Sequence, residues 1–153
     1  MAQLRLIALD APDVTIISAH LQDAVAKVGD MAYSPRDKRF VIHCNRFSWQ
    51  ADDSGKRAGA SKTGERRRAA LRIERATSVK SQAVDRAGRG TVLSILAVLF
   101  EPDPNPDLAP AGVVTIVCAG GASLRLGVEC VEMVLEDLGP AWEASAVPTH
   151  EAK

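Results

Sequence analysis

Lys62, Arg66, Arg67, Arg68 and Arg72 are the residues whose type and spacing could do chemistry, and that chemistry is the gripping of anions. A guanidinium offers a planar fork of donors that meets two oxygens of a phosphate or carboxylate at once. In an extended chain alternate side chains share a face, so Arg66, Arg68 and Arg72 fall on one side of a strand and Arg67 and Arg75 on the other. The cluster lies inside a segregated charge pattern. Residues 56–100 carry eleven Lys or Arg against three acids, residues 101–153 carry nine acids against Arg125 and Lys153, and the formal net charge is zero. A chain so polarised attracts an anionic partner at one end and, at low salt, a second copy of itself.

Two uses fit the basic segment. One is a surface for nucleic-acid backbone or an acidic protein face, with salt-dependent affinity. The other is a solvated edge, or a partner for the acids of the C-terminal half, where charge keeps a strand from pairing with its neighbours in solution. Phe47 and Trp49 precede the segment and no aromatic lies within it, so stacking platforms for reading RNA bases are missing. Trp142, after Gly139-Pro140, is a candidate anchor for a protein partner if it does not fold back over the preceding element.

Other spacings specify less. Gly59 to Gly64 has the separation that opens a phosphate-binding loop, but Glu65 and Arg66 stand where Lys and Ser or Thr are needed. His43 and Cys44 are neighbours on a strand and point to opposite faces, and His150 has no nearby Cys or His, so no metal set forms. Cys44, Cys118 and Cys130 read as buried structural thiols. Ser18, His20 and Asp23 are spread around a helix axis rather than aligned as a triad, and His20 borders the helix's buried stripe. Asp52-Asp53 falls in a loop and Glu136-Asp137 on the wet face of a helix, where neither pair is poised for acid/base work. No catalytic residue, metal or cofactor is therefore assigned, and the reading is a non-enzymatic module. The alternatives are a protein-interaction or scaffold subunit without a nucleic-acid role, and an enzyme whose residues converge from distant elements.

The elements that must position these residues follow from periodicity. Leu4, Leu6 and Ala8 suggest a short first strand ending at Asp10. Asp10 or Asp13 then caps a helix with Pro12 in its first turn, and Val14, Ile17, Leu21 and Ala24 form its buried stripe. Strands through Val28 and Met31 to Tyr33, and from Arg39 to Trp49, make a hairpin around Ser34-Pro35-Arg36-Asp37-Lys38. On the return strand Phe40, Ile42, Cys44 and Arg46 share one face. Residues 51–64 read as a loop, 66–80 as a strand, and 91–100 as a central strand covered on both faces. The prolines of 101–111 make an irregular connection. Val113 to Ala119 pairs with Ser123 to Leu126 across Gly120-Gly121. Val128, Val131, Val134, Leu135 and Leu138 predict a closing amphipathic helix stopped by Gly139-Pro140.

The expectation is an α+β fold, one domain over residues 1–143 with a frayed tail at 144–153. About seven mainly antiparallel strands in hairpins are flanked by an early helix and a C-terminal one, a layout similar to the pleckstrin-homology-like barrels. An open sheet with two helices on one face is the rival. The composition, 46% apolar and 25% charged, is that of a globular chain. The longest apolar run, Val92 to Phe100, is about half the ~20 residues a membrane-spanning helix needs. Three cysteines without a C-x-x-C spacing fit a reducing, cytoplasmic setting.

Several stretches carry a resemblance: Leu6 to Asp10, Ile17 to Ala24, Val28 to Met31, Asn45-Arg46-Phe47, Arg66 to Leu71, Cys130-Val131-Glu132 and Asp137 to Trp142. In these the chain resembles a bacterial family of unknown function, known mainly from alphaproteobacteria. The resemblance covers nearly the whole chain and implies a small bacterial cytosolic protein. It implies no activity, cofactor or site residue.

Overall fold

The computed structural model describes residues 3–49, 64–84, 88, 90–139 and 142–143. Among these, eleven strands and one α-helix follow the order β1 (Arg5–Ala8), α1 (Ala11–Leu21), β2 (Val25–Lys27), β3 (Met31–Ser34), β4 (Arg39–Trp49), β5 (Gly64–Glu74), β6 (Ala76–Gln82), β7 (Val92–Pro102), β8 (Gly112–Cys118), β9 (Ser123–Val128), β10 (Met133–Asp137) and β11 (Trp142–Glu143). The strands run β1-β10-β5-β4-β2-β7-β8-β9-β6, an open order in which every pairing is antiparallel, with β3 beside β4 and β11 beside β5. A single apolar cluster joins both halves of the sheet and the helix. Ile42, Leu71 and Leu135 come from one half, Ile95, Ile116 and Leu126 from the other, and Ile17 and Leu21 from α1.

Local chemistry accounts for the elements that match expectation. The Asp10 side chain accepts from the Asp13 N–H, which satisfies one of the amides that an α-helix leaves free at its start, and Pro12 stands where no donor is needed. Val14, Ile17, Leu21 and Ala24 are buried as their spacing predicts. The β3–β4 hairpin turns through Ser34–Lys38, where Lys38 has positive φ and its N–H donates to the Pro35 carbonyl. Gly120 and Gly121, at φ 78° and 82°, make the β8–β9 turn in the left-handed region that favours glycine.

Three expectations are corrected. Residues 66–80 form two strands, because Arg75 adopts φ 61° and turns the chain from β5, beside β4 and β10, into β6, beside β9. The β7 strand lies inside the sheet but is covered on one face only. Val92, Leu96 and Leu99 are about half exposed, whereas Leu93, Ile95 and Val98 are buried. Finally, the closing helix does not form: its segment supplies the end of β9 and all of β10. Met133, Val134 and Leu135 are consecutive and all buried, which one stripe of a surface helix cannot achieve but a strand between two neighbours can. The β-branched Val128 of β9 and Val134 of β10 suit that setting. Without the helix, the capped pleckstrin-homology-like layout loses its defining element.

Gly112 offers a test of the β7–β8 contact. A Cβ there would run into the backbone carbonyl of Glu101 and lie 2.6 Å from Phe100 Cε1. Backbone cannot rotate away as a side chain can, so Gly112→Ala should cost about 1–3 kcal/mol through overpacking. Thermal unfolding followed by circular dichroism should show the midpoint fall; an unchanged midpoint would mean that the strands separate freely.

Candidate anion-binding face

The β4–β5 ladder sets two opposite arginine environments. Its register places Arg46 opposite Arg67, Phe47 opposite Arg66, Asn45 opposite Arg68 and Val41 opposite Arg72. Phe40, Ile42, Cys44 and Arg46 face inward against Ile73, Leu71, Ala69 and Arg67, so an apolar face ends in two buried guanidiniums. Asp137, at the end of β10 and paired in register with Ala69, meets them there.

Arg46 Nε donates to Asp137 Oδ1 at 2.8 Å and its terminal nitrogen to Oδ2 at 3.0 Å, a bidentate pair. The Leu4 N–H also donates to Oδ2 at 2.8 Å, and Arg67 Nε stands 3.9 Å from the same oxygen. Burial alone would raise the Asp137 pKa. The hydrogen bonds from Arg46 and the Leu4 amide, with the charges of Arg46 and Arg67, outweigh that and hold it below the ordinary value. The expected wet-face carboxylate is thus a buried one, because its segment is strand rather than helix. His20 is half-buried near this cluster, and burial followed by the Arg46 charge lowers its pKa, against an opposing pull from Asp137.

On the outward face Arg66, Arg68 and Arg72 share one side, as the alternation predicts, but they are not equivalent. Arg66 reaches across β4 to donate to the carbonyls of Asp23 and Asn45 at 2.8 and 3.0 Å, with its guanidinium 5.0 Å from the Phe47 ring centre. Arg72 pairs with Glu74 at 2.6 Å. Arg68 is exposed, and no carboxylate of the described residues pairs with it. Lys62 lies outside the described residues. The backbone of Trp142 pairs with Arg66 at the margin of β5.

Among the described residues, part of the charge that is segregated along the chain is matched in space. Lys38 bonds Glu129 at 2.6 Å, Arg75 reaches Glu129 and Glu132, Arg39 pairs with Glu74 and Arg5 with Glu136. The Lys38 hydrogen bond is the main cause of a lowered Glu129 pKa.

Arg68 borders a cleft whose origin is a split in the sheet. β2 pairs with β4 only at Val25↔Asn45, and β3 takes up the pairing at Met31↔Ile42, while a 3-10 turn over Val28–Asp30 carries the chain between them. Neither β2 nor β3 pairs with His43 or Cys44, and a cavity of about 170 Å³ opens there. Lys27, Asp30, His43, Asn45 and Arg68 supply its polar lining. Asn45 Oδ1 is shut off from solvent with no hydrogen-bond partner. Sequence reasoning missed Lys27, Asp30 and Asn45, whose only signal is that β2 is too short to cover β4. It also missed the Arg46–Asp137 pair, although an arginine on the apolar face of the Arg39–Trp49 strand pointed to a buried partner.

The remaining candidates are accounted for locally. Ser18 Oγ accepts the Val98 N–H at 2.8 Å and so serves the fold. Burial pushes the Cys44 thiol up to about 12 and raises that of Cys118, so neither is a thiolate near neutral pH; Cys130 is half-buried. Among the described residues no group of three or more His, Cys, Asp or Glu converges to hold a metal, and no helix is long and apolar enough to cross a membrane. Gly59, Asp52, Asp53 and His150 fall outside the described residues.

A family model described as a protein of unknown function, DUF2948, matches residues 4–150. No curated protein and no solved structure is significantly similar to the chain.

Proposed function

The chain belongs to the DUF2948 family of proteins of unknown function, and on that premise we propose that it is a non-enzymatic module that binds an anionic partner at the outward face of β4 and β5. The observation that carries this is the contrast within β5: Arg66, Arg67 and Arg72 are engaged inside the chain, whereas Arg68 is exposed and unpaired beside Lys27. Two cations on strands of one sheet, neither of them in an ion pair among the described residues, favour an oxyanion. The reading is narrower than a row of arginines gripping successive phosphates, because three of the four described arginines of that row already have acceptors or a carboxylate.

Fluorescence anisotropy of labelled single-stranded RNA, duplex DNA and an acidic peptide, at low and near-physiological salt, tests it. Binding should weaken as salt rises. Arg68→Glu should cost about tenfold or more, the equivalent of one charge-assisted contact at about 1.5–3 kcal/mol. The substitution belongs at Arg68 alone, since a charge reversal at Arg67 would place two carboxylates in the buried cluster and report on folding. No binding to any probe at low salt would sink the reading. A second reading, association through apolar surface, draws on the exposed Val92, Leu96 and Leu99 of β7 and is recognised by self-association that salt leaves unchanged.

A further inference from the structure

We infer that the cleft between β2 and β4 is a site for a small zwitterion of the α-amino-acid type, its carboxylate on Arg68 and Lys27 and its ammonium on Asp30 and the Asn45 amide. The inference rests on the anion-binding reading of the same face and adds the class of ligand. Size is the first argument. A cavity of about 170 Å³ falls below the ~300–1,000 Å³ of pockets for drug-sized ligands, so it suits a group of a few heavy atoms.

Charge is the second. The lining carries two cations, Lys27 and Arg68, and one carboxylate, Asp30, yet none of the three enters an ion pair among the described residues. A simple anion would use the cations and leave Asp30 without a partner. A zwitterion satisfies both signs.

The third argument is the stranded Asn45 Oδ1. A buried acceptor without a donor is costly, and Asn χ2 is a broad torsion, so a small rotation turns the amide oxygen toward a donor in the cleft. An ammonium group has three donors, enough for Asp30 and Asn45 together. Val25, Ala26 and Val92, with Cys44, supply the apolar part of the lining and suit a short aliphatic side chain.

Isothermal titration calorimetry of the full chain tests this with four probes: L-alanine, L-valine, N-acetyl-L-alanine, which keeps the carboxylate but loses the ammonium, and L-alanine methyl ester, which does the reverse. The free amino acids should bind, and masking either end should weaken binding at least tenfold. Arg68→Gln and Asp30→Asn should each weaken L-alanine to a similar degree without moving the thermal midpoint, since neither side chain enters an ion pair among the described residues. N-acetyl-L-alanine binding as tightly as L-alanine would overturn the zwitterion and leave the anion reading standing. Absence of heat from all four probes, with labelled polyanions still bound, would overturn the inference alone. Absence of both would remove the two readings together.

Discussion

Asp137→Asn should destabilise the protein by about 3–5 kcal/mol, the cost of breaking a buried ion pair by removing one partner. The side chain of Asp137 is fully buried, and that of Arg46 is 9% exposed. With the carboxylate gone, two guanidiniums remain in a site that water barely reaches. Arg67, at 8% side-chain exposure, has no other ion-pair partner among the described residues. A loss of that size is a large fraction of a typical domain stability of about 5–15 kcal/mol. Urea denaturation at pH 7, read as the shift in midpoint, measures it.

The same pair gives stability a direction with pH. The Asp137 pKa is lower in the folded chain than in the unfolded one, so its contribution is complete above the unfolded value of about 3.9 and is lost as pH falls through the folded value. The gap between wild type and Asp137→Asn should therefore narrow in strong acid. His20 acts at milder acid. Its folded pKa is lowered, so the unfolded chain takes up the proton first, and stability declines as pH falls below the ordinary histidine value of about 6.5. A gap independent of pH would mean that Asp137 is not ionised in the fold.

Leu135→Ala should cost about 2–5 kcal/mol, the range for emptying a close-packed leucine site. Leu135 is fully buried at the middle of β10, in register with Leu6 of β1 and Leu71 of β5. Leu138→Ala, three residues on and 48% exposed, should change stability by only about 0.5 kcal/mol. The contrast separates strand from helix, because the closing helix predicted from periodicity puts both leucines on one buried stripe. Equal losses at the two positions, by urea denaturation, would restore the helix.

The amino-acid order alone determined more of the local structure than of the site. α1 was legible because Asp10, Pro12 and the Val14-Ile17-Leu21 stripe are short-range signals that act within a few turns of chain. The β3–β4 and β8–β9 hairpins were legible because proline and glycine set backbone torsions on their own. The parity of the β5 arginines was legible too, since alternation needs no knowledge of neighbours.

Tertiary structure decided what those faces met. Val128 to Leu138 carries a helical period and a buried run at once, and insertion between β1 and β5 chose the strand, because only a sheet interior buries Met133, Val134 and Leu135 together. That choice carried Asp137 into the core, where it took Arg46 and Arg67 from the charge pattern. Acids and bases far apart in the sequence were then matched between the turns and connections at the ends of the strands, Lys38 with Glu129 and Arg75 with Glu132, at distances along the chain no local rule spans. Arg68 was left exposed for the same reason: its neighbour across the ladder is Asn45, beside the gap where β2 leaves β4, and which residue faces a gap is settled by register rather than by type.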